Sequence, residues 1–294
     1  MVNKNKPNFF VIGASKSATT SFYHLLKHHP NICMSFPKET NYFALTRDKK
    51  EEVDYKSFFN HCKDESVIGE VSPIYSELHV APWVPEKIYR YNSNSKIIYL
   101  VRNPVDRLKS VWKQTLSTGH WKQKVYNSRF GIKVPKMSLN FEEAVFNYPP
   151  FVEACKYWKQ LQGYRDYFPD EQIKVIVFED FVNKTNEVIN EVFDFLGLSP
   201  YSVDKSVKHH NPSRGKKMVN PRLSELLDKR AIKKLIKLIV PDFFLSKFKR
   251  LTHKEVPKNV EISDSLKSKI KCELEFDITH ILKYAGKETD FWEL

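Results

Sequence analysis

Three stretches of the chain share one pattern: an apolar run of five or six residues, then polar positions among which apolar residues return every three or four. "FFVIG" (9–13) leads into "TTSFYHLLKHH", where Phe22, Leu25, Leu26 and His29 share a helical face and Pro30 marks the stop. "KIIYLV" (96–101) leads into "RNPVDRLKSVWKQTL", with Asn103 placed as N-cap and Pro104 at the first helical position. "IKVIVF" (173–178) precedes a helix that carries Ile189, Val192, Phe193 and Leu196 on one face and closes at Gly197. Buried strands alternating with amphipathic helices predict an α/β fold, with a central, mostly parallel sheet flanked by helices.

The stretch from about Ser117 to Pro150 is polar, aromatic and Pro-containing, and reads as an insertion or lid. Beyond Gly197 the chain turns basic, through "KHHNPSRGKK" and then "DKRAIKKLIKLIVPDFFLSKFKR", which is expected to pack an Ile/Leu face on the domain rather than lie on an acidic membrane. There is no internal repeat. Lysine and arginine number 48 against 35 acidic residues, a net charge of +13 that favours phosphorylated or otherwise anionic partners. Cys33, Cys62, Cys155 and Cys272 lie far apart with no zinc-site spacing, so reduced thiols and a cytoplasmic location are expected. No run approaches the ~18 apolar residues of a membrane span.

The turn "GASKSATTS" stands at the carboxyl end of the first expected strand, where a parallel sheet binds ligands and a helix N-terminus presents free N–H groups. Lys16 adds a full charge, and Ser17, Thr19, Thr20 and Ser21 add hydroxyl donors, a set suited to phosphate or sulfate. It is not the nucleotide loop G-x-x-x-x-G-K-[ST]: the lysine comes three residues after Gly13 and there is no second glycine.

The turn instead resembles the 5′-phosphosulfate loop of sulfotransferases that use 3′-phosphoadenosine 5′-phosphosulfate (PAPS), and "LVRNPVDRLKSVW" resembles their 3′-phosphate motif, with Arg102 and Ser110 as the matching residues. "HHPNICMSFPKETNYF", "VIVFEDF" and "FDITHILKYAGKETDFW" are similar to further segments of the bacterial and heparan-type branch, so the resemblance runs nearly the length of the chain and implies one domain over 1–294 with the P-loop nucleotide-kinase-like sulfotransferase fold. The late loop "PSRGKK" is similar to the basic loop over the 3′-phosphate, which adds Arg214, Gly215 and Lys216.

The resemblance implies PAPS as donor, adenosine 3′,5′-bisphosphate as product, no metal, and a small metabolite or saccharide acceptor sulfated at a hydroxyl or amine. Lys16, with Ser17, Ala18, Thr19, Thr20 and Ser21 around it, then faces the phosphosulfate, and Glu39 of "PKETNYF" is the expected base, with Lys38 assisting. Lys38, Asn41 and Glu70 are acceptor-side candidates, Glu70 at the cleft mouth, and the aromatic content around Trp121, Tyr126 and Arg129 suits an acceptor pocket. The histidines His61, His79 and His120 are reserve bases, while His28 and His29 are placed at a helix end and His209 and His210 in the basic loop. The sequence departs from the family at Ala18, where glycine is usual, at Asn41, often histidine, and at Phe178, in place of tyrosine. Two other readings remain open: a nucleotide kinase or NTPase, which the missing loop spacing disfavours, and a non-catalytic basic module for anionic glycan or nucleic acid, with nucleic acid not expected as a partner.

Overall fold

The first strand, β1 (Phe9–Gly13), is buried at every position and is hydrogen-bonded on both edges, which its unbroken apolar run requires. In this computed structural model, residues 6–45, 54–119, 125–126, 132–202, 217–219, 253–257 and 259–294 are described. After β1 come α1 (Thr19–Leu26), β2 (Ile32–Met34), a short 3-10 turn over Tyr55–Phe59, β3 (Val67–Val71), a second such turn over Pro73–Ser76, α2 (Val84–Tyr91) and β4 (Lys96–Val101). Then follow α3 (Pro104–Thr118), the hairpin of β5 (Val125–Tyr126) and β6 (Ile132–Lys133), α4 (Phe141–Asn147), α5 (Pro150–Glu153), α6 (Tyr157–Arg165) and β7 (Ile173–Val177). The chain continues with α7 (Phe178–Asn183), α8 (Thr185–Phe195), a pairing of β8 (Lys217–Val219) with β9 (His253–Glu255), and α9 (Asp264–Tyr284).

The main sheet has five strands in the order β2-β3-β1-β4-β7, all parallel. Successive strand residues point to opposite faces, and the core divides accordingly. Phe9, Val11, Ile98, Leu100 and Ile176 pack with Phe22, Leu26, Ile189 and Phe193, so α1 and α8 cover one face. Phe10, Ile12, Ile97, Tyr99 and Val101 pack with Ile88, Leu108, Leu161 and Ile278, so α2, α3, α6 and α9 cover the other. The expected α/β architecture is therefore the observed one. The chain leaves β1 for the β2–β3 side and later crosses to β4 on the other side, which puts the reversal of strand order at the carboxyl ends of β1 and β4.

Several expectations need adjusting. The helix after β1 stops at Leu26, and His29 is buried beyond it because its ring packs 4.7 Å from that of Phe193. The third strand ends at Val177, with Phe178 already opening α7. Within the stretch read as an insertion or lid, Val134, Met137, Phe141, Ala144, Val145 and Tyr148 are buried in the larger core cluster. The four cysteines are not all separate thiols: β2 and the turn after Phe59 bring Cys33 and Cys62 into a disulfide, leaving Cys155 buried and Cys272 exposed. The basic helix expected over 228–250 lies outside the described residues. No helix among the described residues is long and apolar enough to cross a membrane.

Candidate active site

The loop after β1 is held open by its backbone. Gly13 has φ +156°, and a Cβ there would meet the Ser76 hydroxyl at 2.2 Å, so only glycine permits the strand to turn at this point. Lys16 (φ 70°) and Ala18 (φ 61°) are both left-handed, and Ala18 forms the N-cap of α1. Non-glycine residues held in this region are strained and are kept there by their surroundings. Here the surroundings are two arginines. Arg107, fully buried on α3, donates from Nε to the Ser15 carbonyl at 2.9 Å, and Arg102 donates from Nη1 to the Lys16 carbonyl at 3.2 Å.

Arg102 follows β4 directly, and β4 is the hydrogen-bonded neighbour of β1, so the two loops emerge side by side. Its guanidinium lies over the Phe178 ring, 4.4 Å from the centroid, and approaches Asp106 at 4.0 Å. The helix behind it begins as the Asn-Pro pair predicts: the Asn103 side chain accepts from the amides of Val105 and Asp106. Glu179 ties this corner to the end of the chain, accepting from the Asn103 amide and, on its other oxygen, from the Trp292 indole, each at 3.0 Å. The segments "RNP", "FED" and "DFW", distant in sequence, thus meet at one point. Ser110 is half-buried further along α3.

On the opposite side of the first loop stands the segment after β2. The Lys38 ammonium lies 3.5 Å from Thr19 Oγ1 and 2.7 Å from Glu39 Oε1, with Lys38 15% and Glu39 49% exposed. Glu39 is therefore in an ion pair and also open to solvent. Asn41 is left-handed, at φ 55°. Glu70 is not at a cleft mouth: it is completely buried within β3 and its carboxylate accepts from four hydroxyls. Sequence reasoning placed it at a rim because a glutamate after an apolar run ordinarily marks a strand end, and nothing local revealed the hydroxyls.

His61 sits beside Cys33 and the Met34 carbonyl, and burial holds the His79 imidazole down at about 4, so it stays neutral. His120, His209, His210, Trp121, Arg129 and the basic loop residues Arg214, Gly215 and Lys216 lie outside the described residues.

The loop's chemistry fits a bound dianion. Among the described residues, Ser17 Oγ and Arg102 Nε are buried without a hydrogen-bond partner, a costly state that an anionic ligand's oxygens would relieve. Together with Lys16, Thr19 and Thr20 of the same loop and the first amides of α1, which no side chain caps, they gather cationic and donor groups at the switch point of a parallel sheet. Such a fold and such a loop suit the binding of an anionic ligand at the carboxyl ends of the strands. The sulfotransferase-domain family model matches residues 6–242, and the chain belongs to that family.

Its relatives agree. Human heparan sulfate glucosamine 3-O-sulfotransferase 5 is 26% identical over 211 residues, covering 71% of this chain and 58% of that protein. The membrane-associated sulfotransferase kil1 of Dictyostelium discoideum is 30% identical over 152 residues, covering 51% of this chain and 29% of its own length. The chain thus spans little more than half the length of the heparan-type relatives it matches. Among solved structures, a sulfotransferase from Alicyclobacillus acidocaldarius aligns over 98% of this chain and 99% of its own, with a TM-score of 0.66 at 20% identity, which shows a shared fold.

Proposed function

We propose that the chain transfers a sulfuryl group from PAPS to a hydroxyl, or amine, of a small metabolite or saccharide. The observation that carries this reading is the Arg102–Lys16 contact: residues matching the 3′-phosphate and 5′-phosphosulfate motifs meet at the ends of adjacent strands, close enough for one nucleotide to engage both. PAPS supplies an activated sulfuryl group whose displacement leaves negative charge on the bridging phosphate oxygen. Lys16, with Thr19, Thr20 and the α1 amides, neutralises that charge where it develops. Arg102 and Ser110 hold the 3′-phosphate, and Phe178 beneath the guanidinium fixes its plane. Glu39 takes the proton from the acceptor as the new S–O bond forms. Lys38, reaching both Thr19 and Glu39, keeps the carboxylate beside the donor loop. An acceptor hydroxyl enters from the open side of Glu39.

The test uses radiolabelled PAPS with a panel of saccharide and phenolic acceptors, and adenosine 3′,5′-bisphosphate binding by calorimetry. The wild type is expected to label an acceptor and to show no phosphoryl transfer from ATP with magnesium. Glu39→Ala should keep bisphosphate affinity within about twofold and lose transfer by about 100-fold or more. Arg102→Ala should weaken the bisphosphate by about tenfold or more. Full activity of the Glu39 variant, or unchanged affinity in the Arg102 variant, overturns these roles.

A further inference from the structure

Glu70 is the most unusual charged group in the described structure. It lies in β3 opposite Phe10 of β1, on the strand between β2 and β1, with no exposed surface. Burying a carboxylate is expensive unless its lone pairs are satisfied. Here four hydroxyls converge on it: Thr40, Ser72 and Tyr75 donate to Oε1 at 2.5, 2.5 and 2.8 Å, and Tyr55 donates to Oε2 at 2.5 Å. Desolvation, reinforced by the Glu70 charge, pushes both phenols well above their ordinary range, so they remain donors across the working pH.

Three of these hydroxyls have a second task. Thr40 Oγ1 accepts from the Tyr42 amide at 3.2 Å, Ser72 Oγ from the Asn41 amide at 3.1 Å, and the Tyr75 hydroxyl from the Phe43 amide at 3.1 Å. Three consecutive backbone N–H groups are therefore bound by three oxygens, each oriented because its own hydrogen points at one carboxylate. The tethered segment begins immediately after Glu39 and includes Asn41 in its left-handed conformation.

We propose that Glu70 is a positioning residue: it fixes the 40–43 backbone, and through it the placement of Glu39 beside the donor loop. This rests on the proposed sulfuryl transfer for its catalytic consequence, but the tether itself does not. Without the carboxylate the three hydroxyls rotate freely, the amides lose oriented acceptors, and Glu39 samples positions away from the acceptor. Displacements of about 1 Å are enough to cost about 100-fold in rate.

Two readouts separate the tether from the reaction. Backbone amide exchange in Glu70→Met should accelerate about tenfold at Asn41, Tyr42 and Phe43 and remain unchanged in β1 and β4. With whichever acceptor the wild type labels, kcat should fall about 10- to 100-fold while KM for PAPS stays within about twofold. Glu70→Gln, which keeps an oxygen where Thr40, Ser72 and Tyr75 converge, should recover most of both effects. If the methionine variant does not fold, Ser72→Ala and Tyr75→Phe give the same comparison one hydroxyl at a time, Ser72→Ala acting on the Asn41 amide and Tyr75→Phe on the Phe43 amide. Unchanged exchange at 41–43, exchange that rises equally throughout the sheet, or a loss seen in KM for PAPS rather than kcat overturns the proposal. A wild type that labels no acceptor while Glu70→Met still frees 41–43 refutes the sulfuryl-transfer reading and leaves the tether standing.

Discussion

At the scale of single residues, the donor loop is where sequence and backbone are most at odds. Ala18 stands where the resembling family has glycine, and the structure shows why glycine is favoured there: φ is 61°, a conformation that a Cβ disfavours by about 1–2 kcal/mol. Part of that cost is offset in the comparison with glycine, because alanine restricts the unfolded chain more. Ala18→Gly should therefore stabilise the protein by about 0.5–1 kcal/mol, seen as a rise of about 2 °C in Tm with bisphosphate affinity retained. A lower Tm would mean that the loop leaves the left-handed region in solution. Lys16, at φ 70°, carries the same strain but cannot be relieved by glycine without losing its amine. This much of the site was legible in the sequence, since a lysine and four hydroxyls in one turn are a local signal. The buried cage of Glu70 was not, because its donors come from positions 40, 55, 72 and 75 and only the folded sheet gathers them.

At the scale of elements, legibility followed length and local chemistry. β1, β4 and β7 were evident as apolar runs, and the start of α3 was evident because Asn103 and Pro104 cap a helix by their own chemistry. β2 has three residues and β3 carries a glycine and a glutamate, so neither shows the period of a strand. Nor does any local pattern announce the disulfide that joins β2 to the turn following the Tyr55–Phe59 segment, with its partners 29 positions apart. That crosslink closes a loop containing Lys38 and Glu39. Closing a loop of this size in the unfolded chain is worth about 3–4 kcal/mol by chain entropy. Urea unfolding of the oxidised protein should therefore have a clearly higher midpoint than that of the reduced protein or of Cys62→Ser. Coincident midpoints would show that the pair contributes nothing to stability.

Across the whole molecule, the C-terminal segment returns to the corner of the sheet that holds Arg102. Trp292 is buried in the larger core cluster, its ring 6.0 Å from that of Tyr157, and its indole N–H is bound by Glu179. Tyr157 in turn donates to the Arg102 carbonyl at 2.9 Å, while Glu179 accepts from the next amide, that of Asn103. The C-terminal segment therefore braces Arg102 through two routes, one by packing and one by hydrogen bonding, and the routes can be separated. Trp292→Phe keeps most of the packing but removes the N–H, leaving Glu179 to solvate one oxygen by water, and should cost about 1 kcal/mol of stability and at most a few-fold in bisphosphate affinity. Trp292→Ala also opens a cavity against Tyr157, and should cost about 3–5 kcal/mol together with a larger loss of affinity, because the Arg102 backbone loses its support. Denaturant midpoints and calorimetry on the two variants check this order. If the alanine variant is destabilised as expected yet binds the bisphosphate like the wild type, the C-terminal segment stabilises the fold without positioning Arg102, and the bracing argument fails.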